Sequence, residues 1–303
     1  MIKSLSWWIN LFRPLTYVPN NGCKRIKRLK PIAIIAAPNG ARKQKSDHPM
    51  LPITMSEIVE DAKSCRDAGA AMIHVHARDH EGKHSLDIEV NQALYGELKN
   101  ELGDSVMIQL TTEAIGEYSP QQQIALIKQV KPKAASFALR ELFPDGEQLT
   151  TQFRQSAQFF DWVSSEHIFA QYILYDRQDV EIYLRLCDQG VIPATHRHVL
   201  LVLGRYSATQ TATPIELVAM ISEPALTAQR WGVCAFGQYE HQCLSAAMLL
   251  GGDVRVGFEN NHLDRHGEFA QSNAAQIAEL KRLAEHQRIA TLNAQDYRCL
   301  LQK

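Results

Sequence analysis

From residue 31 onward the sequence alternates short apolar runs with helical patterns, and it does so eight times. The runs are "PIAIIAAP", "AAMIHVHA", "VMIQLTTEA", "AASFALRE", "IFAQYILYD", "HVLLVLG", "WGVCAFG" and "DVRVGFEN". Most are nearly continuous stretches of small and branched apolar residues, the pattern of strands covered on both faces. Helical spacing fills the gaps: a segment opening at a Ser56 cap and closing at Gly69, then residues 88–101, a helix from Pro120, and one within 150–164. Further helices are expected over 177–189, from Pro214, over 239–250 and from Ser272 to Gln287. Strand-helix units repeated in this way build a parallel sheet. Eight units of similar length within residues 31–303 predict one (β/α)8 TIM barrel. A doubly wound open sheet is the alternative, because periodicity alone does not show closure. The lack of a Gly-rich dinucleotide fingerprint after the first run favours the barrel.

Residues 1–30 are expected to lie outside this fold. They carry "SWWINLF" and a basic run, "KRIKRLK", without the apolar stretch and small-residue cleavage site of a signal peptide. Translation starting later, at Val18 or Leu29, is a further reading. Lys plus Arg number 32 and Asp plus Glu 33, so bulk charge points to neither nucleic acid nor an acidic polymer. Six scattered cysteines without a CxxC pair fit a reducing compartment, and no run approaches the roughly 20 apolar residues of a membrane helix. The expectation is a cytoplasmic protein.

The second run poses a chemical question. His74 and His76 share one side of a segment that reads as a buried strand. Burying imidazole is costly unless it is hydrogen-bonded or bound to a metal. In such barrels chemistry sits at the C-terminal strand ends. The eighth run ends in Glu259, with Arg255 and Gly257 on the same parity. Inward side chains of even-numbered strands share layers, so two imidazoles and a carboxylate converge. Two His and one Glu with an open position form a ligand set for catalytic zinc. The plainer alternative is an ion pair between Glu259 and Arg255. On the third run Gln109, Thr111 and Glu113 alternate to one face, inward polar groups able to position a carbonyl or move a proton. The long first loop, "PNGARKQKSDHPMLP", offers Asn39 and Arg42 as substrate contacts, while its His48 reads as solvated or loop-packing. "VLGRYSATQT" offers Gly204 and Arg205 for phosphate groups.

"HVHARD", "QLTTEA", "VLGRY" and "VRVGFENN", in that order, resemble the zinc-dependent β-keto acid cleavage enzymes. The resemblance runs from about Pro31 to the C-terminal region. It implies a TIM barrel with zinc on His74, His76 and Glu259, an active-site arginine at Arg255 and a hydroxyl at Thr111. The implied reaction takes a β-keto acid and acetyl-CoA to acetoacetate and a new acyl-CoA. Arg205 becomes a candidate for the CoA phosphates, and a homo-oligomer, often a tetramer, is implied. The sequence departs from better-known members at four places. Asn260 stands where they have an acid, Gln171 replaces a strand-five glutamate, Arg42 replaces an acid of the first loop, and Glu113 replaces a glycine. An amide is no general base, so Glu113 becomes the candidate. Arg42 favours a substrate whose far end is anionic or neutral over one with an amine. Two alternatives stay open: a metal-dependent hydrolase, since HxH also opens amidohydrolase sites, and a barrel that binds a metabolite without turnover.

Overall fold

The structure, a computed structural model, describes residues 29–302 apart from 147, 196 and 206–210, so most of the 1–30 extension lies outside the described residues. Eight strands form a closed parallel barrel in chain order. They are β1 (Ile34–Ala36), β2 (Met72–Val75), β3 (Met107–Leu110), β4 (Ala134–Ala138), β5 (Phe169–Leu174), β6 (Arg197–Leu203), β7 (Arg230–Ala235) and β8 (Asp253–Val256). Closure runs through β1 and β8, where Ile35 is the register partner of Arg255. The open-sheet alternative is thereby excluded.

The outer layer comprises α1 (Met55–Ala68), α2 (Ile88–Leu102), α3 (Pro120–Val130), α4 (Leu139–Leu142), α5 (Thr151–Ser165), α6 (Arg177–Asp188), α7 (Pro214–Met220), α8 (Pro224–Thr227), α9 (Glu240–Leu249), α10 (Asn273–His286) and α11 (Ala294–Leu301). Outward strand residues such as Ile34, Ile73, Val75 and Ile108 pack with Ile58, Leu94 and Ile277 of the helices in one apolar layer. Burying such residues supplies most of the driving force, roughly 25 cal/mol per Å².

Three local expectations need correction. The cap of α1 is Thr54, not Ser56. The Thr54 hydroxyl accepts from Glu57 N–H at 3.3 Å, while the Glu57 carboxylate accepts from Thr54 N–H at 3.1 Å. That reciprocal pair starts the helix one residue before Ser56. The fourth run is a strand only to Ala138, and "LREL" turns into α4. A helix beyond Gln287, α11, was not expected, and it closes the barrel floor.

On that floor a smaller cluster of Ala33, Ile35, Met72, Met107 and Phe169 packs against Tyr297 of α11. Here Asp253, fully buried, accepts from Ala33 N–H at 2.6 Å, from Arg230 Nε at 2.8 Å and from the Tyr297 hydroxyl at 3.0 Å. His198 lies 3.4 Å from the same carboxylate, and the Gln171 amide meets His198 Nδ1 at 3.0 Å.

Candidate active site

His74 is inside β2 and His76 is the first residue beyond it. Both are buried, and their Nε2 atoms lie 3.1 Å apart. The side-chain oxygen Oε1 of Gln109, the β3 register partner of His74, accepts from His74 Nδ1 at 2.8 Å. That bond fixes the ring and leaves the Nε2 lone pair facing His76. Glu259 Oε2 sits 3.4 Å from each Nε2. The convergence expected from strand parity is present, although by another route. β8 stops at Val256, and Gly257, at φ 147°, turns the chain before Glu259. A Cβ at 257 would collide with the Ala37 carbonyl, and at Gly40 one would lie 2.6 Å from Glu259 Cγ. Both glycines therefore let β1 and its loop close on the carboxylate.

The cluster also tests whether a cation fits. The ligand atoms of His74, His76 and Glu259 all lie within 4.8 Å of one another, and Glu259 Oε2 is buried without a hydrogen-bond partner. Burial pushes the His74 imidazolium down to about 4 and that of His76 to about 3, so neither ring carries an extra proton near neutrality. Burial alone would raise the Glu259 carboxyl. Arg255 and the two histidines outweigh it and hold that carboxyl well below its usual range. Three electron-rich atoms facing one another in a dry pocket fit the donor set of a divalent ion.

Arg255 donates from Nη2 to Glu259 Oε1 at 2.8 Å and to Cys234 Sγ at 3.3 Å. The Arg255–Glu259 ion pair and the metal-type cluster thus coexist, each using a different carboxylate oxygen. Nε and Nη1 of Arg255 are buried without protein partners, while the residue faces a cavity of about 130 Å³. Thr111, Glu113, Arg42 and Arg205 line the same cavity. Thr111 Oγ accepts from Glu113 N–H at 3.0 Å. Glu113 Oε1 accepts from Arg205 Nη2 at 3.2 Å, and its other oxygen lies 3.9 Å from His76 Nδ1. Burial raises the Glu113 carboxyl, Glu259 adds to this, and Arg205 and Arg42 oppose it.

Two first-loop and strand-end candidates take other positions. Asn39 is fully buried and does not line the cavity; its amide donates to His76 O at 2.8 Å and accepts from His76 N–H at 3.3 Å. It ties the start of the first loop to the end of β2. Asn260 is also buried and off the cavity wall, with both amide atoms lacking partners. Gln171 is on the floor with His198, and two residues further along β5 it is Ile173 that lines the cavity. The glutamine at 171 therefore does not line the cavity. His48 packs in its loop, on the Phe258 ring at 4.1 Å, with Nε2 3.0 Å from Ala270 O.

Sequence reasoning passed over three residues. Arg78 donates to the carbonyls of Gly40 at 2.7 Å, Lys43 at 3.0 Å and Gly82 at 2.8 Å, tying the first loop to the end of β2. Its parity with His74 and His76 was the available signal. Ser136 of β4 lines the cavity with a buried hydroxyl that has no partner. Lys43 lines it too, donating to Phe258 O at 2.8 Å, and burial lowers its ammonium to about 8.

Fold and site together define a TIM-barrel enzyme whose cavity is built around a His-His-Glu cluster and an arginine. The β-keto acid cleavage enzyme family matches residues 31–302, and the chain belongs to that family. It is similar to the 3-keto-5-aminohexanoate cleavage enzyme of Acetoanaerobium sticklandii, 29% identical over 268 residues that cover 85% of this chain and 93% of that protein. It is also similar to the 3-oxoadipate:acetyl-CoA acetyltransferase of Cupriavidus necator, 25% identical over 84% of this chain and 89% of that one. Among solved structures, apo ObcA superimposes with a TM-score of 0.64 at 17% identity, a likeness of fold; this chain matches 65% of its length. Type I 3-dehydroquinate dehydratase from Clostridium difficile, at a TM-score of 0.55 and 11% identity, shares the barrel. No described helix is long and apolar enough to cross a membrane.

Proposed function

We propose that this enzyme converts a β-keto acid and acetyl-CoA to acetoacetate and a new acyl-CoA, with zinc held by His74, His76 and Glu259. The observation that carries the reading is the unpartnered Glu259 oxygen facing two neutral imidazoles on the wall of a cavity that Arg255 shares. A divalent ion bound there supplies Lewis acidity to the keto and carboxylate oxygens, easing loss of a proton from the carbon between them. Arg255 offers its free Nε and Nη1 donors to oxygen as negative charge develops. Glu113, raised by burial and held by Arg205, is the carboxylate placed to take the proton. Thr111 and Ser136 add hydroxyls on the same wall. The enclosed volume of about 130 Å³ suits the reacting end of a small acid. A molecule as long as CoA must extend across the mouth, where Arg205 is its candidate contact.

The far end of the substrate is read by Arg42. Glu113 is paired with Arg205, and Arg42 forms no hydrogen bond or ion pair among the described residues while it lines the cavity. A guanidinium left open at the mouth favours a distal carboxylate or neutral group. The relative named for 3-oxoadipate acts on such a diacid. A cytoplasmic homo-tetramer completes the proposal, tested by light scattering and fractionation. The hydrolase and binding-only readings give way to the family assignment.

The deciding experiment offers the purified protein acetyl-CoA and a panel of β-keto acids. Acetoacetate and about one zinc per chain are expected. Turnover on none of them removes the reaction, and turnover that survives complete chelation removes the metal.

A further inference from the structure

The Gly257 turn that delivers Glu259 is held from behind by a side chain that touches neither the cavity nor the ligand cluster. Asn273, at the start of α10, is fully buried. Its Oδ1 accepts from Phe258 N–H at 2.8 Å, and its Nδ2 donates to Pro38 O at 3.1 Å and to Asp61 Oδ2 at 3.0 Å. One amide thus joins the segment after β8, the segment after β1, and α1. We infer that Asn273, oriented by Asp61, is a positioning residue that sets the Gly257–Phe258 backbone so that Glu259 meets His74 and His76.

The inference rests on the proposed metal reading and adds the residues that fix its carboxylate. An amide can be turned over with little change of shape, exchanging donor for acceptor. If Asn273 were reversed, NH₂ would face Phe258 N–H and the turn would lose its anchor. Asp61 and the Pro38 carbonyl remove that freedom together. Both only accept, so the NH₂ group must face them and the carbonyl is left for Phe258. Asp61 Oδ2 also accepts from the Cys65 thiol at 3.4 Å, and burial lifts the Asp61 carboxyl to about 6. A buried carboxylate with neutral partners is costly for a fold to keep, which argues for a task beyond filling space. Downstream of the anchor, Ala37 O accepts from Glu259 N–H at 3.1 Å, completing the hold on the ligand.

The test uses the full chain, zinc alone and no substrate, reading zinc affinity by chelator competition and the Tm of the metal-free protein. Asn273→Asp sets two carboxyls against each other and is expected to weaken zinc about 10- to 100-fold, the scale typical of groups that orient ligands. The exchanged pair, Asp61→Asn with Asn273→Asp, restores a donor facing an acceptor between 61 and 273 and keeps an acceptor for Phe258 N–H, though not the donor to Pro38 O, so it should recover part of the affinity. Asp61→Asn alone, nearly isosteric, removes one of the two acceptors that orient the amide and should cost a few-fold; it carries the test if Asn273→Asp does not fold. Unchanged zinc affinity in the folded variants, with only the metal-free Tm lowered, overturns the inference, as does an exchanged pair no better than Asn273→Asp. Failure of the wild-type protein to bind zinc is a separate result, and it overturns the metal reading itself.

Discussion

The two ends of the barrel interior treat buried charge in opposite ways. At the floor, Asp253 finds a backbone N–H, a guanidinium and a phenol, all from its own chain. At the mouth, Glu259 Oε2, His76 Nδ1, two nitrogens of Arg255 and the Ser136 hydroxyl are buried with no partner. Both ends come from the same strands with the same alternation. Unpartnered buried atoms occur elsewhere too, Gln171 Oε1 and the Asn260 amide among them, but at the mouth they gather on charged groups around one cavity.

Breaking the mouth and the floor should therefore give different failures. His76→Ala is expected to lose most bound metal and to lower kcat/KM by about 10³-fold or more, with the Tm of the metal-free protein close to wild type. Full metal content in that variant would end the ligand assignment. Asp253→Ala strips Arg230 and Ala33 N–H of their partner, and losing one side of a buried pair costs about 3–5 kcal/mol. Urea denaturation reads this directly; a loss below about 1 kcal/mol would show that the floor is not the anchor described here.

Within the mouth the comparison sharpens. Glu113→Gln keeps shape and removes the titrating group, so kcat should fall roughly 10²-fold if Glu113 is the base. Near wild-type turnover with an unchanged pH profile refutes the role. Arg42→Glu should lower kcat/KM for an anionic β-keto acid about 10- to 100-fold while activity on an amino analogue holds or rises. If both fall together with the metal retained, Arg42 supports the site and does not read charge. The smallest effect is expected at Glu240, buried behind the mouth, where burial lifts the carboxyl from 4.5 to about 8. Between those values the native state keeps a proton that the unfolded chain releases, so stability falls as pH rises through that window. Glu240→Gln should flatten the fall of Tm between about pH 5 and pH 8, and an unaltered slope would place the titration elsewhere.

Much of this was legible in the sequence, and the losses have physical causes. Eight apolar runs announced eight strands, and His74 with His76 announced a site, because alternation is local and survives into the fold. Glu259 does meet the two histidines, but by a route other than parity, which holds only inside a strand, and β8 ends at Val256. The same limit misplaced Gln171, whose layer depends on where β5 meets β6, where it is the register partner of His198. Asn39 reads as a substrate contact from its place in the first loop, yet its amide bonds His76, 37 positions away. The Arg205–Glu113 pair, 92 positions apart, leaves no trace in local spacing at all.

Arg78 carries a consequence for redesign. Because its guanidinium gathers the carbonyls of Gly40 and Lys43, the segment carrying Arg42 is tethered to the strand end that carries His76. On the function proposed above, specificity and metal holding would then not be separable modules. A first loop grafted from a relative would keep its intended preference only if its own carbonyls fell on that guanidinium. A loop of different length would unsettle the histidines before it ever met a substrate.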